Sequence, residues 1–414
     1  MPEESSELLA GMASVVPNFE GEEATAFGLP PRDQLSKRDR TIVDLSAGAD
    51  IALRTGAATL VSTAVIPTVL NRSFGERERE NLGFYAELAA AHDPSRSFPR
   101  PTSMPTVHRK RANPLARAMV KGTVEALTFD SPFEPVNPAL RPLWESRSRN
   151  RVAHAQHWRH EDGPRPTLCV IHGFMASPYW LNGLFLQLPW FYKAGFDVLL
   201  YTLPFHGARA SRLSPFSGHG YFSQGTTGFS EAMAHAVHDF RIFVDYLEST
   251  GVEKVGVTGI SLGGYTTALL ASVEDRLQVA IPNVPVVDVQ ELVSKWFPAS
   301  ALIDVGLRLG GIDRGLMGQA LAYSSALNYQ PLVAKERRLI ITGLGDRLAP
   351  PEQSEMLWRH WERCSMYWFP GNHVLHVSQP DYLRRMTHFL RDNDFVPDEW
   401  RSRTEGADEG RAHG

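Results

Sequence analysis

The sequence predicts an α/β fold in which a mostly parallel sheet is covered by helices on both faces. Three observations support this prediction. Residues 167–171 form a continuous apolar run, which is typical of a central parallel strand buried on both faces. Strand-like runs alternate with helix-like patterns from about residue 124 onward. One strand-like run, at 254–258, leads directly into a helical pattern through a glycine-flanked serine.

Length and composition fit one large soluble domain with additional segments. The chain has 414 residues, of which 43% are hydrophobic and 21% charged, as in ordinary globular proteins. A formal net charge of −4 gives no indication of a nucleic-acid partner. The two cysteines, Cys169 and Cys364, are too few for a disulfide framework. We therefore expect a reducing, cytoplasmic setting.

The residues before the sheet divide into two parts. Residues 1–38 are acidic and are expected to be flexible, while 39–123 are expected to form a helical extension and a proline-rich linker. Six glutamates precede Arg32, the first basic residue, whereas a signal peptide begins with a positively charged region. The longest apolar stretch, 55–70, is shorter than the roughly 20 residues that span a bilayer. We expect a helix packed on the main domain and no transmembrane segment, while peripheral membrane contact stays open.

Residues 124–393 carry the alternating strands and helices, and 394–414 form a polar tail. A long helix is predicted at 230–250, with Ser230 as its N-cap, and a final helix at 380–392. Short β-branched, aromatic and apolar runs predict strands at 124–129, 151–160, 167–171, 196–201, 254–258, 279–281, 339–341 and 366–369.

The second predicted strand contains three histidines, His154, His157 and His160. In a strand, residues three apart fall on opposite faces, so the three rings do not converge. No carboxylate or cysteine completes a ligand set beside them. We therefore expect surface-strand histidines and no metal site.

The sequence around Ser261 reads G-x-S-x-G, from Gly259 to Gly263, between a predicted strand and a predicted helix. Small residues on both sides let the backbones pass closely, and the serine is forced to a positive φ. That conformation lifts the hydroxyl above the sheet, beside the free N–H groups of a helix N-terminus. The alternative is a glycine-rich turn that merely packs. The strand before it and the helix after it favour a catalytic serine.

Two further residues follow predicted strands at the same edge of the sheet. Asp346 lies just beyond the strand at 339–341, although an aspartate there could instead cap the next helix. His373 follows a Gly-Asn turn after the strand at 366–369. His376 is its rival, and we favour His373 because its turn is nearer the strand end.

Together these motifs resemble the α/β-hydrolase superfamily over about residues 124–393. The resemblance implies a Ser261–His373–Asp346 triad and no cofactor or metal. Phe205 stands where many members have glycine, and we expect it to narrow the pocket mouth. The matching segments are H-G-F at 172–174, L-P-x-H-G at 203–207, G-I-S-L-G-G at 259–264, G-x-x-D-x-x-x-P at 343–350 and G-N-H at 371–373.

By the same resemblance, the backbone N–H groups of Phe174 and Leu262 form the oxyanion hole, and His172 and Gly173 support the oxyanion turn. The expected activity is a serine hydrolase acting on a small-molecule carboxylic ester. Acyl transfer by the same nucleophile and a non-catalytic scaffold are the alternatives. An apolar insertion at about 288–330 is either a cap favouring a lipophilic substrate or simple packing on the sheet. The oligomeric state stays open.

Overall fold

A computed structural model describes residues 28–69, 71–120, 122–175, 186–374 and 379–396. Within these ranges the strands form one nine-stranded sheet in the order β1-β2-β3-β5-β4-β6-β7-β8-β9. The strands are β1 His108–Arg111, β2 Thr123–Asp130, β3 Val152–Arg159, β4 Thr167–Ile171, β5 Asp197–Thr202, β6 Val255–Ile260, β7 Leu277–Asn283, β8 Leu339–Gly343 and β9 Ser365–Phe369.

Strands β4 to β9 run parallel, whereas β1, β2 and β3 pair antiparallel at one side of the sheet. The α-helices are α1 Lys37–Val69, α2 Arg72–Ala90, α3 Pro94–Ser97, α4 Pro114–Arg117, α5 Arg141–Glu145, α6 Leu188–Lys193, α7 His219–Phe222, α8 Gly225–Ser249, α9 Leu262–Val273, α10 Val289–Ser294, α11 Ala299–Gly310, α12 Arg314–Ala322, α13 Pro351–His360 and α14 Gln379–Asp392.

Helices cover both faces of the sheet. Along β4, Cys169 and Ile171 enter the apolar cluster that includes α8 and α9, while Leu168 and Val170 enter the cluster that includes α6 and α14. All five β4 side chains are buried, as the unbroken apolar run predicts. The prediction of a mostly parallel sheet with helices on both faces is confirmed.

The long helix α8 begins at Gly225, five residues before the predicted cap. Ser230 is fully buried inside the helix, so its prediction as the N-cap is wrong. The start of α8 is held instead by Glu78 of α2. The Glu78 carboxylate accepts hydrogen bonds from the Thr227 N–H (3.0 Å) and the Thr227 hydroxyl (2.6 Å). A carboxylate from a distant segment thus does the work of a local cap.

The histidines of β3 also differ from expectation. Strand β3 is an inner strand between β2 and β5, and α8 covers it through Tyr246, so His157 is fully buried and is not a surface residue. Burial lowers the pKa of His157 to about 3, and the ring stays neutral. Across the described ranges, no group of three His, Cys, Asp or Glu side chains is arranged to hold a metal ion.

The N-terminal helices pack on the rest of the molecule. Helix α1 contacts α11, and α2 contacts α12 and α8. Two of these partners, α11 and α12, lie in the insertion between β7 and β8 that we predicted at 288–330. The insertion and the N-terminal helices therefore form one helical layer beside the carboxyl edge of the sheet.

Helix α1 is longer than the apolar stretch identified from the sequence. Its segment Lys37–Pro67 has 31 residues and contains an 18-residue window with a mean hydropathy of 1.3, so by length and composition it could cross a membrane. The length argument against a span therefore does not apply to this helix. The helix contacts α11 and the loops after β8 and β9, and 28% of its apolar window is buried.

Candidate active site

Ser261 occupies a sharp turn between β6 and α9. Its backbone has φ 59° and ψ −114°, as the sequence predicts for this serine. The turn needs glycine on both sides. A Cβ on Gly259 would lie 2.5 Å from the Gly263 carbonyl oxygen, and one on Gly263 would lie 2.2 Å from the Ile171 carbonyl oxygen. The Ser261 N–H donates to Asn283 O at 3.0 Å and fixes the turn to β7.

Asp346 and His373 lie in the loops after β8 and β9 and contact each other. His373 Nδ1 lies 2.6 Å from Asp346 Oδ2. The second oxygen, Asp346 Oδ1, accepts the N–H groups of Leu348 (2.9 Å) and Ala349 (2.8 Å). Asp346 is fully buried, so these three bonds fix its carboxylate rigidly. The rival, His376, lies outside the described residues.

The surroundings of His373 raise the pKa of its imidazole. Burial lowers the pKa of His373, but the charge and hydrogen bond of Asp346, together with the charge of Asp50, raise it above its ordinary value. Burial raises the pKa of Asp346, and the imidazole partly offsets that effect. An ionised carboxylate only accepts hydrogen bonds, so Nδ1 of His373 carries the hydrogen and Nε2 is free of it in the neutral ring.

The H-G-F turn after β4 lies against Ser261. A Cβ on Gly173 would lie 3.3 Å from Ile260 O and 3.4 Å from Ser261 Cβ. The Leu203 N–H approaches His172 Nε2 at 3.1 Å, so Nε2 must accept and Nδ1 must donate to Gly173 O at 2.8 Å. Burial lowers the pKa of His172 to about 4. A neutral ring with both nitrogens engaged connects this turn to the Leu203 backbone.

Ser261, His373, Phe174 and Leu262 line one cavity of about 770 Å³. Its walls are apolar apart from Ser261, His172, His373 and Tyr265, counting the described residues. Helix α1 and the insertion supply much of the lining, through Ala52, Leu53, Gly56, Ala57, Leu60, Val61, Val289, Leu292, Val293, Trp296 and Ala299.

Phe205 does not narrow this cavity, so that expectation is wrong. The ring is buried away from the cavity lining and packs against Trp144 and Tyr221. Its backbone φ is 60°, in the region that glycine adopts without strain. The position therefore needs a left-handed backbone, and here a phenylalanine provides it while filling the core.

Sequence reasoning missed one residue beside the site. Asp50 of α1 is fully buried, and its Oδ2 accepts the N–H groups of Arg347 (2.9 Å) and His373 (3.1 Å). The sequence gives the N-terminal helices no place in the minimal hydrolase sheet, and the motifs at the strand ends do not point to Asp50. The available signal was an aspartate at the start of a mostly small and apolar stretch, 51–61, interrupted by Arg54 and two threonines.

Comparison with known proteins places the chain in a family. The model of the prolyl oligopeptidase family matches residues 224–393. Two uncharacterized proteins from two strains of Mycobacterium tuberculosis are each 30% identical over 301 residues, which is 71% of this chain and 69% of theirs. The chain belongs to the α/β-hydrolase superfamily. The family match supports a hydrolase and spans Ser261, Asp346 and His373, but not α1 and α2 of this α/β-hydrolase.

Solved structures resemble the fold of this α/β-hydrolase. An acetyl xylan esterase from Paenibacillus sp. R4 has a TM-score of 0.52 at 16% identity, covering 75% of this chain and 93% of that one. Acetyl xylan esterase 1 from Thermoanaerobacterium sp. has a TM-score of 0.51 at 17% identity, covering 75% and 94%. At such identities the likeness concerns the fold alone.

Proposed function

We propose that this α/β-hydrolase is a serine esterase that cleaves carboxylic esters carrying a lipophilic group. One observation carries the proposal. A serine at a strained strand-to-helix turn and an imidazole paired with a buried carboxylate line the same apolar cavity of about 770 Å³. That volume lies within the range of small-molecule sites.

Ser261 and His373 share the covalent step of the proposed mechanism. His373 Nε2 takes the hydroxyl proton as Ser261 Oγ attacks the ester carbonyl carbon, and the carbonyl π electrons move to the oxygen. The intermediate collapses, the alkoxide leaves as an alcohol with the proton from His373, and Ser261 keeps the acyl group. Water, deprotonated by His373, then attacks the acyl carbon. The second intermediate collapses, the carboxylic acid is released, and Ser261 Oγ takes the proton back from His373. Asp346 holds the imidazole tautomer and stabilises its charged form throughout.

The negative oxygen formed in each step needs hydrogen-bond donors. Leu262 is the first residue of α9, so its N–H has no partner within the helix. The N–H of Phe174, on the turn that packs against Ser261, is the second donor in this proposal. A donor of this kind contributes about 3 kcal/mol to transition-state stabilisation.

The cavity walls indicate a lipophilic substrate. Each methylene group moved from water into an apolar wall contributes about 0.8 kcal/mol. The described lining offers no Lys, Arg, Asp or Glu to bind a charged substrate group. Although the matching family model is that of a peptidase family, this lining favours an uncharged ester over a peptide terminus.

A fluorophosphonate probe tests the nucleophile. It should label the folded wild-type protein and leave Ser261→Ala unlabelled, because the probe forms a bond to an activated serine. Folding of both proteins is checked by circular dichroism. A folded wild type that takes no label, or an Ser261→Ala variant that is labelled equally, overturns the proposal.

Substrate class is tested with p-nitrophenyl esters of graded acyl length, from acetate upward, and with a peptide p-nitroanilide. We expect kcat/KM to rise with acyl length over the first several methylenes, and the anilide to react far more slowly. Fastest reaction with acetate contradicts the lipophilic assignment, and faster reaction with the anilide favours a peptidase. Product analysis with added alcohol or thiol separates hydrolysis from acyl transfer.

A further inference from the structure

Helix α1 reaches both loops that carry the proposed acid and base. Asp50 Oδ2 accepts the N–H of Arg347, next to Asp346, and the N–H of His373 itself. Two further contacts join the same elements. Asn372 Nδ2 donates to Ser46 O at 2.9 Å, and Arg54 Nη1 approaches Arg347 O at 3.4 Å. One side of α1 therefore holds the β8 and β9 loops together.

We propose that Asp50 is a positioning residue of the catalytic machinery, which fixes the Asp346–His373 pair through the backbones of both loops. This inference rests on the proposed function of that pair. A single oxygen shared by the two loops fixes their separation at the point where the acid meets the base. Misplacing a reacting group by about 1 Å can cost a hundredfold in rate.

The burial of Asp50 indicates that its carboxylate has a role beyond filling space in the core. The residue is fully buried, and in the described part of the chain its Oδ1 has no hydrogen-bond partner. No Lys or Arg of the described residues forms an ion pair with it within 4.0 Å, which makes the position costly for a charge. An apolar side chain would avoid that cost but would remove the acceptor that both loop N–H groups share.

The charge of Asp50 also acts on His373. Among the described residues, the charged groups that act on the imidazole are Asp346 from the β8 loop and Asp50 from α1, with Arg54 and Arg347 beside the same loops. Both carboxylates raise the pKa of His373. A second buried anion therefore favours the imidazolium that forms when Ser261 loses its proton.

The substitution Asp50→Asn separates charge from hydrogen bonding, because the amide oxygen still accepts from both N–H groups. The base works as neutral imidazole, so activity rises with pH through the pKa of His373. Removing the charge lowers that pKa, and the acidic limb of the kcat/KM profile should move to lower pH. Asp50→Ala removes the acceptor as well and should lower kcat about tenfold to a hundredfold, with a smaller change in KM.

The matched control is Asp44→Asn, which removes the same charge from the same helix. Asp44 is exposed and pairs with Arg32 at the surface, so its pH profile should equal that of the wild type. Rates are normalised to the fraction of serine titrated by the fluorophosphonate probe, which corrects for misfolded protein. An Asp50→Ala variant with wild-type kcat overturns the positioning role, and an Asp50→Asn variant with an unmoved acidic limb overturns the effect of the charge on His373.

An NMR titration of the His373 ring separates this proposal from the proposed function, since it needs no turnover. We expect Asp50→Asn to lower the measured pKa of His373 and Asp44→Asn to leave it unchanged. If the pKa falls while the wild type hydrolyses no ester, the esterase proposal fails and the Asp50 coupling stands. If esters are cleaved but the pKa and kcat do not respond to Asp50, the coupling alone fails.

Discussion

The two halves of the candidate site are held in place by different means. On the nucleophile side, Ser261 is fixed by steric contacts between backbones, at Gly259 and Gly263, within strands and a helix that pack directly on each other. On the acid–base side, Asp346 and His373 lie on loops after β8 and β9, and Asp50 of α1 connects those loops by hydrogen bonds.

This difference indicates which kind of substitution should disrupt each half of the site. A turn held by close packing is disrupted by any added atom, because the overlapping atoms are backbone and cannot move aside. Loops held by a buried carboxylate are disrupted by loss of that carboxylate, while the sheet beneath them is unaffected. Substitutions on the nucleophile side should therefore mainly lower the free energy of unfolding. Substitutions on the acid–base side should mainly lower the catalytic rate.

The largest expected effect concerns His373. His373→Ala should lower kcat at least about a thousandfold, because the base of a triad has no substitute, and Asp346→Ala should cost less. The reference is His376→Ala, which should retain most of the wild-type rate. Steady-state hydrolysis of one ester by all three variants measures this. If His376→Ala loses activity and His373→Ala does not, the assignment of the base is wrong.

The next effect tests the packed half of the comparison. Gly263→Ala places a methyl group 2.2 Å from the Ile171 carbonyl oxygen, and we expect a loss of about 3 kcal/mol in unfolding free energy or no soluble protein. The control is Gly83→Ala on the exposed face of α2. There the added Cβ would have no described atom within 4 Å apart from the backbone of its own helix. That substitution should stabilise by up to about 1 kcal/mol. Denaturant unfolding measures both, and equal stability of the two variants contradicts the steric account.

The smallest expected effect concerns the wall that α1 contributes to the cavity. Ala57→Phe should shorten the space for an acyl group and lower kcat/KM for long esters up to about tenfold relative to short ones. Ala49→Phe is the matched control, because Ala49 is an exposed residue of the same helix outside the cavity lining. The graded ester series measures the ratio. An unchanged ratio in Ala57→Phe means that substrate does not occupy this part of the cavity.

The sequence by itself determined the features that depend on neighbouring residues. The apolar run of β4, the alternation of strands and helices, and the strained turn at Ser261 all follow from local periodicity and local sterics. Asp346 and His373 were recognised because each follows a strand, and parallel strands end at one edge. The roles of these residues in catalysis stay predictions until the variants are measured.

The tertiary structure alone decided the contacts between distant segments. Asp50 accepts hydrogen bonds from Arg347 and His373, which lie 297 and 323 residues further along the chain. Glu78 caps α8 at Thr227, 149 residues further along the chain. His157 became buried because Tyr246 of α8 covers its face of the sheet, and α1 became a cavity wall because it packs beside the insertion. Local patterns specify which face of an element is apolar. Which other element covers that face is decided by packing of the whole chain, and a single sequence carries no short-range signal of it.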